Sequence, residues 1–87
     1  GQEAREWIEL SEKVRSLGLN YRELEPPTAS SSLFKVLSAA GHTVLMDITT
    51  PIESQVHTYQ VFLKNQPKDI GKPEYIDVRV PGRVYFK

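Results

Sequence analysis

The sequence predicts a small α+β domain in which two helices pack on one face of an antiparallel sheet of about five strands. Two segments repeat apolar residues at helical spacing, and five shorter segments alternate or concentrate apolar residues as strands do. These segments follow one another in the order α-β-β-β-α-β-β. Because each amphipathic helix must bury its apolar stripe, we expect both helices to share one sheet and one core.

The first helix is predicted by a stripe of apolar residues among charged ones: Ala4, Trp7, Ile8, Leu10, Val14 and Leu17. Gly18 follows the stripe at the position where a left-handed residue commonly ends a helix. Leu19 is then placed to contact the last helical turn.

Three strands are predicted between the helices. Residues 19–25 alternate loosely, which places Leu19 and Tyr21 on one side of a short strand and Leu24 on the other. Residues 33–39 and 43–48 are rich in apolar residues and are separated by a short turn. They are predicted to form a largely buried antiparallel hairpin.

The second helix begins at "TPIE", where Thr50 can cap the helix and Pro51 suits the first helical position. Its apolar stripe consists of Ile52, Val56, Tyr59, Phe62 and Leu63. A loop containing Pro67, Gly71 and Pro73 ends it.

A hairpin with a Pro-Gly turn closes the chain in "YIDVRVPGRVYFK", residues 75–87. In its first strand, Ile76, Val78 and Val80 are predicted to face the helices. Asp77 and Arg79 alternate with them and are predicted to face away.

Composition restricts the classes of function. The 87 residues form a single domain or an excised part of a longer one, and eleven basic residues balance eleven acidic ones. The long-range positive field that draws proteins to nucleic acid or anionic membranes is therefore not expected. Cysteine is missing, which excludes disulfides and thiolate chemistry. No apolar run approaches the roughly 18 residues of a transmembrane helix.

The sequence does not predict an enzyme, a cofactor or a metal. His42 lies in a predicted turn and His57 on the polar side of the second helix, so both are expected to be surface histidines. Ser30, Ser31 and Ser32 lack the strand-turn-helix context of a nucleophilic serine. Asp47 and Asp77 have no predicted pocket in which to act as paired carboxylates.

The closing hairpin interleaves aromatic and basic residues: Tyr75, Arg79, Arg83, Tyr85, Phe86 and Lys87. Such a surface is compatible with stacking of single-stranded nucleic acid on Tyr75, Tyr85 and Phe86. Because the net charge is zero, a structural use of the hairpin is favoured over that interpretation, and a sheet edge that Arg83 and Lys87 protect from aggregation is about as well supported as a partner-binding edge. A fourth reading pairs two closing strands across the twofold axis of a homodimer.

Three stretches resemble the bacterial cell-division family FtsQ, called DivIB in Gram-positive bacteria. They are "SAAGHTVLMDI", "IESQVHTYQVFLKNQ" and "EYIDVRVPGRVYFK", and together with the first helix and strand they cover nearly the whole chain. The chain is similar to the C-terminal part of the extracytoplasmic β domain of that family. A full member would carry a cytoplasmic tail, a transmembrane helix, a POTRA domain and the first β-domain strands ahead of this segment.

The resemblance implies a non-enzymatic scaffold of the divisome, located outside the cell membrane at the division septum. Its closing strand would receive a segment of an FtsB (DivIC) partner by strand addition, in a complex with FtsL. The implied site residues are Arg79, Val80, Gly82, Arg83, Val84, Tyr85, Phe86 and Lys87.

Each implied site residue has a role in this interpretation. Arg79 would contact an acidic partner residue, Val80 would begin the bound segment and Gly82 would make the turn. Residues 83–87 would form the pairing strand, with two faces. Val84 and Phe86 lie on one face in this arrangement, and Arg83, Tyr85 and Lys87 lie on the other.

Overall fold

The structure, a computed structural model, describes residues 2–28, 30–65, 73–80 and 82–87. The elements within these ranges are α1 (Gln2–Ser16), β1 (Tyr21–Glu25), β2 (Leu33–Ser38), β3 (Thr43–Asp47), α2 (Ile52–Asn65), β4 (Tyr75–Asp77) and β5 (Tyr85–Phe86). The predicted α+β class and the order of elements are confirmed. Pro67 and Gly71, predicted in the loop after the second helix, lie outside the described residues.

The sheet has the strand order β1-β2-β3-β4-β5 and is mixed. β1–β2, β2–β3 and β4–β5 are antiparallel, but β3 and β4 run parallel, with Thr43 opposite Tyr75 and Leu45 opposite Asp77. The prediction of an entirely antiparallel sheet is therefore wrong at this pair. Parallel neighbours need a long crossover, and α2 lies in the connection between these two strands.

The core lies between the helices and one face of the sheet, which we call the inner face. Its buried apolar residues are Val14, Leu19, Phe34, Val36, Val44, Met46, Ile52, Val56, Tyr59, Ile76 and Val78. Alternate residues of β2, β3 and β4 enter it because successive side chains of a strand point to opposite faces. The other face of the sheet, the outer face, is turned away from both helices.

The end of α1 follows the sequence prediction. Gly18 has φ +98°, a left-handed conformation that strains residues with a Cβ. The Leu19 N–H donates to the Val14 carbonyl at 3.3 Å, and the Leu19 side chain is buried. An ion pair between Lys13 and Glu53 also joins α1 to α2.

The edges of the predicted helical stripes differ from the structure. Ile8 is 55% exposed and Leu63 is 37% exposed, so neither belongs to the core. Gln55 is buried instead, although its polar side chain gave no reason to expect it there. The Ala4 side chain lies outside the described part of the chain.

β1 contains a register shift between Tyr21 and Glu23. A bulge of this kind changes the alternation of side chains. As a result Tyr21 and Leu24 both pack against the core, whereas regular alternation predicted them on opposite sides.

His42 is buried, so its prediction as a surface histidine is wrong. Its Nδ1 lies 3.2 Å from the Tyr59 hydroxyl, and the two rings meet edge to face. The His42 backbone N–H donates to the buried Ser38 hydroxyl at 3.0 Å. Tyr59 of α2 covers this turn, a contact between segments 17 residues apart. His57, in contrast, is exposed as predicted.

Candidate partner-binding edge

β5 forms one edge of the sheet and leaves part of its backbone available. It pairs with β4 through Asp77 opposite Tyr85 and Ile76 opposite Phe86. The Lys87 N–H donates to the Tyr75 carbonyl at 3.3 Å, and the Lys87 carbonyl accepts from the Glu74 N–H at 2.6 Å.

Backbone groups of successive residues in a strand point to opposite sides. Since the Lys87 groups point to β4, the N–H and C=O of Phe86 point away from the sheet. Within the described ranges, no strand pairs with this side of β5. Phe86 therefore offers one donor and one acceptor to an added strand.

The turn before β5 agrees with its predicted position. Gly82 has φ +74°, and the Arg83 N–H donates to the Val80 carbonyl at 3.1 Å. A Cβ on Gly82 would meet no atom within 4 Å, so the glycine is needed for its backbone conformation rather than for space. Pro81, the other predicted turn residue, lies outside the described residues.

Side chains of the closing segment alternate between the two faces. Val84 is half-buried against the core, and the Phe86 ring packs 5.2 Å from the Phe62 ring of α2. Tyr85 lies on the outer face, opposite Asp77, and is 49% exposed. Arg83 and Lys87 are exposed.

An apolar groove lies between α2 and the closing hairpin. It has a volume of about 320 Å³, and its lining includes Val61, Phe62, Asn65, Gly82 and Val84. Val61 is 43% exposed there and adds to the apolar lining of the groove. The groove was not predicted. The sequence signal that could have indicated it is Val61, an apolar residue of α2 that lies outside the predicted stripe.

Arg79 is paired within the chain. Its Nε and Nη2 donate to Asp77 Oδ1 and Oδ2 at 3.0 and 2.8 Å, and its backbone N–H donates to Oδ1 at 3.0 Å. Val80, which follows, is 45% exposed, so the prediction that it faces the helices is wrong. β4 ends at Asp77, and strand alternation does not extend to Val80.

The pKa of Asp77 reflects competing effects. Burial alone would raise the pKa, but hydrogen bonds from the Arg79 side chain and backbone, with its charge, lower it overall below 3.8. A carboxylate with a lowered pKa stabilises the fold at higher pH and loses this contribution as the pH falls through its folded-state pKa.

We expect Asp77→Asn to destabilise the domain at neutral pH, because the amide removes the charge while it keeps an acceptor for the Arg79 N–H. The difference in free energy of unfolding from the wild type should be full above the ordinary pKa of an aspartate and shrink as the pH falls through the lowered pKa of folded Asp77. Urea unfolding at several pH values measures it. A difference that does not change with pH would show that the ion pair does not contribute.

The three aromatic residues proposed to stack the bases of single-stranded nucleic acid do not share one surface. Tyr75 and Tyr85 lie on the outer face, whereas Phe86 contacts Phe62 on the inner side. The outer face carries carboxylates beside its basic residues, so it lacks the strong positive field that phosphate binding requires. This arrangement does not favour a stacking platform made of all three rings.

The residues considered for catalysis make local structural contacts. Asp47 Oδ1 accepts hydrogen bonds from the Thr49 N–H and hydroxyl at 2.7 and 2.6 Å, and the Ser31 hydroxyl accepts from the Leu33 N–H. Across the described ranges, no three His, Cys, Asp or Glu residues are grouped so that they could hold a metal ion.

The fold and the edge define an α+β module with a two-layer arrangement, in which no strand of the described residues pairs with the outer side of β5. Comparison of the chain with protein-family models, curated proteins and solved structures finds no match. In the described part of the chain, neither helix is long and apolar enough to span a membrane.

Proposed function

We propose that this chain is a non-enzymatic interaction module that binds a partner segment by strand addition to β5. The observation that carries the proposal is the outward-facing backbone of Phe86 at a sheet edge. Unpaired N–H and C=O groups of an edge strand are the usual docking site for an extended peptide.

The surroundings of β5 support the same proposal. Arg83 and Lys87 flank β5 with charges, as at edges that avoid association, but Tyr85 and Phe86 between them are 49% and 45% exposed. A residue paired opposite Phe86 would point to the same side as Phe86, toward α2 and the apolar groove. Its neighbours in the added strand would point to the outer face, beside Tyr85. An extended segment with alternating apolar residues fits this edge.

The resemblance to FtsQ/DivIB specifies the partners in this proposal. They are divisome proteins of the FtsB/DivIC and FtsL type, and the module acts outside the cell membrane at the division septum. An acidic residue of the partner would then approach Arg79 from its solvent-exposed side. Because two of its guanidinium nitrogens already bind Asp77, that contact adds to an existing ion pair.

A peptide titration tests the proposal. A peptide from the membrane-proximal extracytoplasmic part of an FtsB-like partner is added to the ¹⁵N-labelled domain while amide chemical shifts are followed. We expect the shifts to concentrate at residues 79–87. A folded spectrum without shifts would count against both the edge and the family interpretation.

Two variants of Phe86 separate backbone pairing from side-chain contact. Phe86→Ala removes the ring and keeps the N–H, whereas Phe86→Pro removes both. We expect Phe86→Pro to bind the peptide about tenfold more weakly than Phe86→Ala, which corresponds to one lost hydrogen bond of about 1.4 kcal/mol. Both variants should unfold at similar urea concentrations, because this N–H points away from β4. Equal peptide affinities would contradict strand addition.

Two other outcomes would support different functions. Affinity for oligonucleotides that falls steeply with salt would favour the nucleic-acid reading. An increase in molecular mass with protein concentration, if Phe86→Pro abolishes it, would favour a homodimer joined at β5.

A further inference from the structure

The β5 edge carries two positive charges on the outer face of the sheet. Strand alternation places Arg83, Tyr85 and Lys87 on that face, and all three residues are exposed. Within the described ranges, neither Arg83 nor Lys87 makes an ion pair. The two cations therefore flank Tyr85 along the strand that would receive an added one.

The nearest carboxylates do not neutralise these two charges. Asp77, which lies opposite Tyr85, accepts hydrogen bonds from the Arg79 guanidinium at 3.0 and 2.8 Å. The Glu74 N–H donates to the Lys87 carbonyl, but in the described part of the chain these two side chains form no ion pair. The positive charge is therefore local to this edge, although the chain as a whole is neutral.

The other carboxylates of the outer face lie far from the position of an added strand. Asp47 belongs to β3, two strands from β5, and Glu23 and Glu25 belong to β1, four strands from it. With about 4.8 Å between neighbouring strands, an added strand would lie about 14 Å from β3 and about 24 Å from β1. Both distances exceed the screening length of about 8–10 Å at physiological salt. Arg83 and Lys87 would be its nearest charged neighbours.

We propose that Arg83 and Lys87 select the strand that adds to β5, and that this strand carries Asp or Glu opposite each of them. The inference rests on the strand addition proposed above. Residues directly opposite each other on paired strands share one face, with Cβ atoms about 4.5–5.5 Å apart, and opposite charges there are favourable. The two acidic residues of the partner are therefore four positions apart, with the residue opposite Tyr85 midway between them.

The inner face completes the pattern. The partner residues opposite Val84 and Phe86 lie between the acidic ones in sequence and point to the side of Phe62, where apolar side chains pack. The partner segment therefore has the order acidic, apolar, any residue, apolar, acidic. This order is the same in both strand directions, so parallel and antiparallel addition predict the same pattern.

The same charges disfavour a second copy of this chain as the occupant. If two β5 strands paired antiparallel about a twofold axis at Tyr85, Arg83 of each copy would lie opposite Lys87 of the other. Like charges directly opposite each other are destabilising. Charges at a sheet edge commonly prevent self-association, and here they also favour an acidic segment over a basic one.

Three synthetic peptides test the proposal. Each contains the core X-Val-Thr-Val-X between Gly-Ser flanks, where X is Glu, Gln or Lys. Titration into the ¹⁵N-labelled domain gives the affinities, and the amide shift of Phe86 reports strand addition separately. We expect the affinity to fall in the order Glu, Gln, Lys, with about tenfold or more between the first and the last. This ratio should decrease with salt.

Charge-reversed variants show whether the contact is local. Arg83→Glu with Lys87→Glu should reverse the order, so that the Lys peptide binds most tightly. Arg5→Glu with Arg22→Glu is the matched control, because it changes the net charge equally at exposed positions of α1 and β1. This control should keep the order of the wild type. All four positions are exposed, so both double variants should retain the circular dichroism spectrum of the wild type.

The outcomes separate this inference from the function on which it rests. A shift of the Phe86 amide with equal affinities for the three peptides would overturn selection by charge and leave strand addition in place. An unchanged order in the variant of Arg83 and Lys87, or a reversed order in the control variant, would overturn it as well. If no peptide shifts Phe86, strand addition and selection by charge are both wrong.

Discussion

Replacement of Phe34 by alanine is expected to lower the free energy of unfolding by about 3–5 kcal/mol, the usual cost of removing a buried aromatic side chain. Phe34 is 1% exposed and lies at the centre of the core on β2. Its ring meets Trp7 of α1 edge to face, with the centroids 5.7 Å apart. The substitution removes both the buried area and this contact between helix and sheet.

The neighbouring residue supplies a matched control. Leu33 lies on the outer face and makes no contact with the core, so Leu33→Ala should cost about 1 kcal/mol or less. Urea unfolding followed by circular dichroism measures both variants. Trp7, the single tryptophan, gives a second probe by fluorescence because it contacts Phe34. Equal losses at the two positions would show that β2 does not present Phe34 to the core.

Gln55→Leu is expected to cost about 2–4 kcal/mol, although leucine is the more apolar residue. Gln55 is 2% exposed, and its Oε1 accepts from the Asp47 N–H at 2.7 Å. Its Nε2 donates to the carbonyls of Asp47 and Thr50 at 2.9 and 3.1 Å. Leucine fills a similar volume but leaves these backbone groups without their partner.

Gln60→Leu is the control on the same helix. Gln60 is exposed and donates one hydrogen bond, to the Leu17 carbonyl at 3.0 Å, so its loss should cost about 1 kcal/mol or less. Amide hydrogen exchange adds a local measurement, because the Asp47 N–H should exchange faster in Gln55→Leu than in Gln60→Leu. Unchanged exchange at Asp47, together with equal unfolding free energies, would contradict the proposed role of Gln55.

Local sequence patterns predicted the elements of this fold. Residues three and four apart form one face of a helix, so the stripes containing Val14 and Val56 were visible without tertiary information. Gly18 marked a position where the backbone takes positive φ, which the structure confirms, and Gly82, predicted as a turn residue, has positive φ as well. Alternation likewise assigned Ile76 and Val78 to a buried face, which the structure confirms.

The candidate site was predicted in part. The turn at Gly82, and the alternation of Val84 and Phe86 with Tyr85, agree with the structure. The groove beside α2 was not predicted, because it depends on how far Val61 and Val84 approach each other after folding.

The sequence by itself determined which segments become helices and strands, their order and the turn that leads to β5. Only the tertiary structure decided that β4 runs parallel to β3, that His42 lies beneath Tyr59 and that Gln55 joins α2 to β3. Periodicity reports on residues that are close in sequence, whereas these three features depend on contacts between residues that are far apart in sequence. Their partners are selected by the packing of α2 on the sheet, which no single segment specifies.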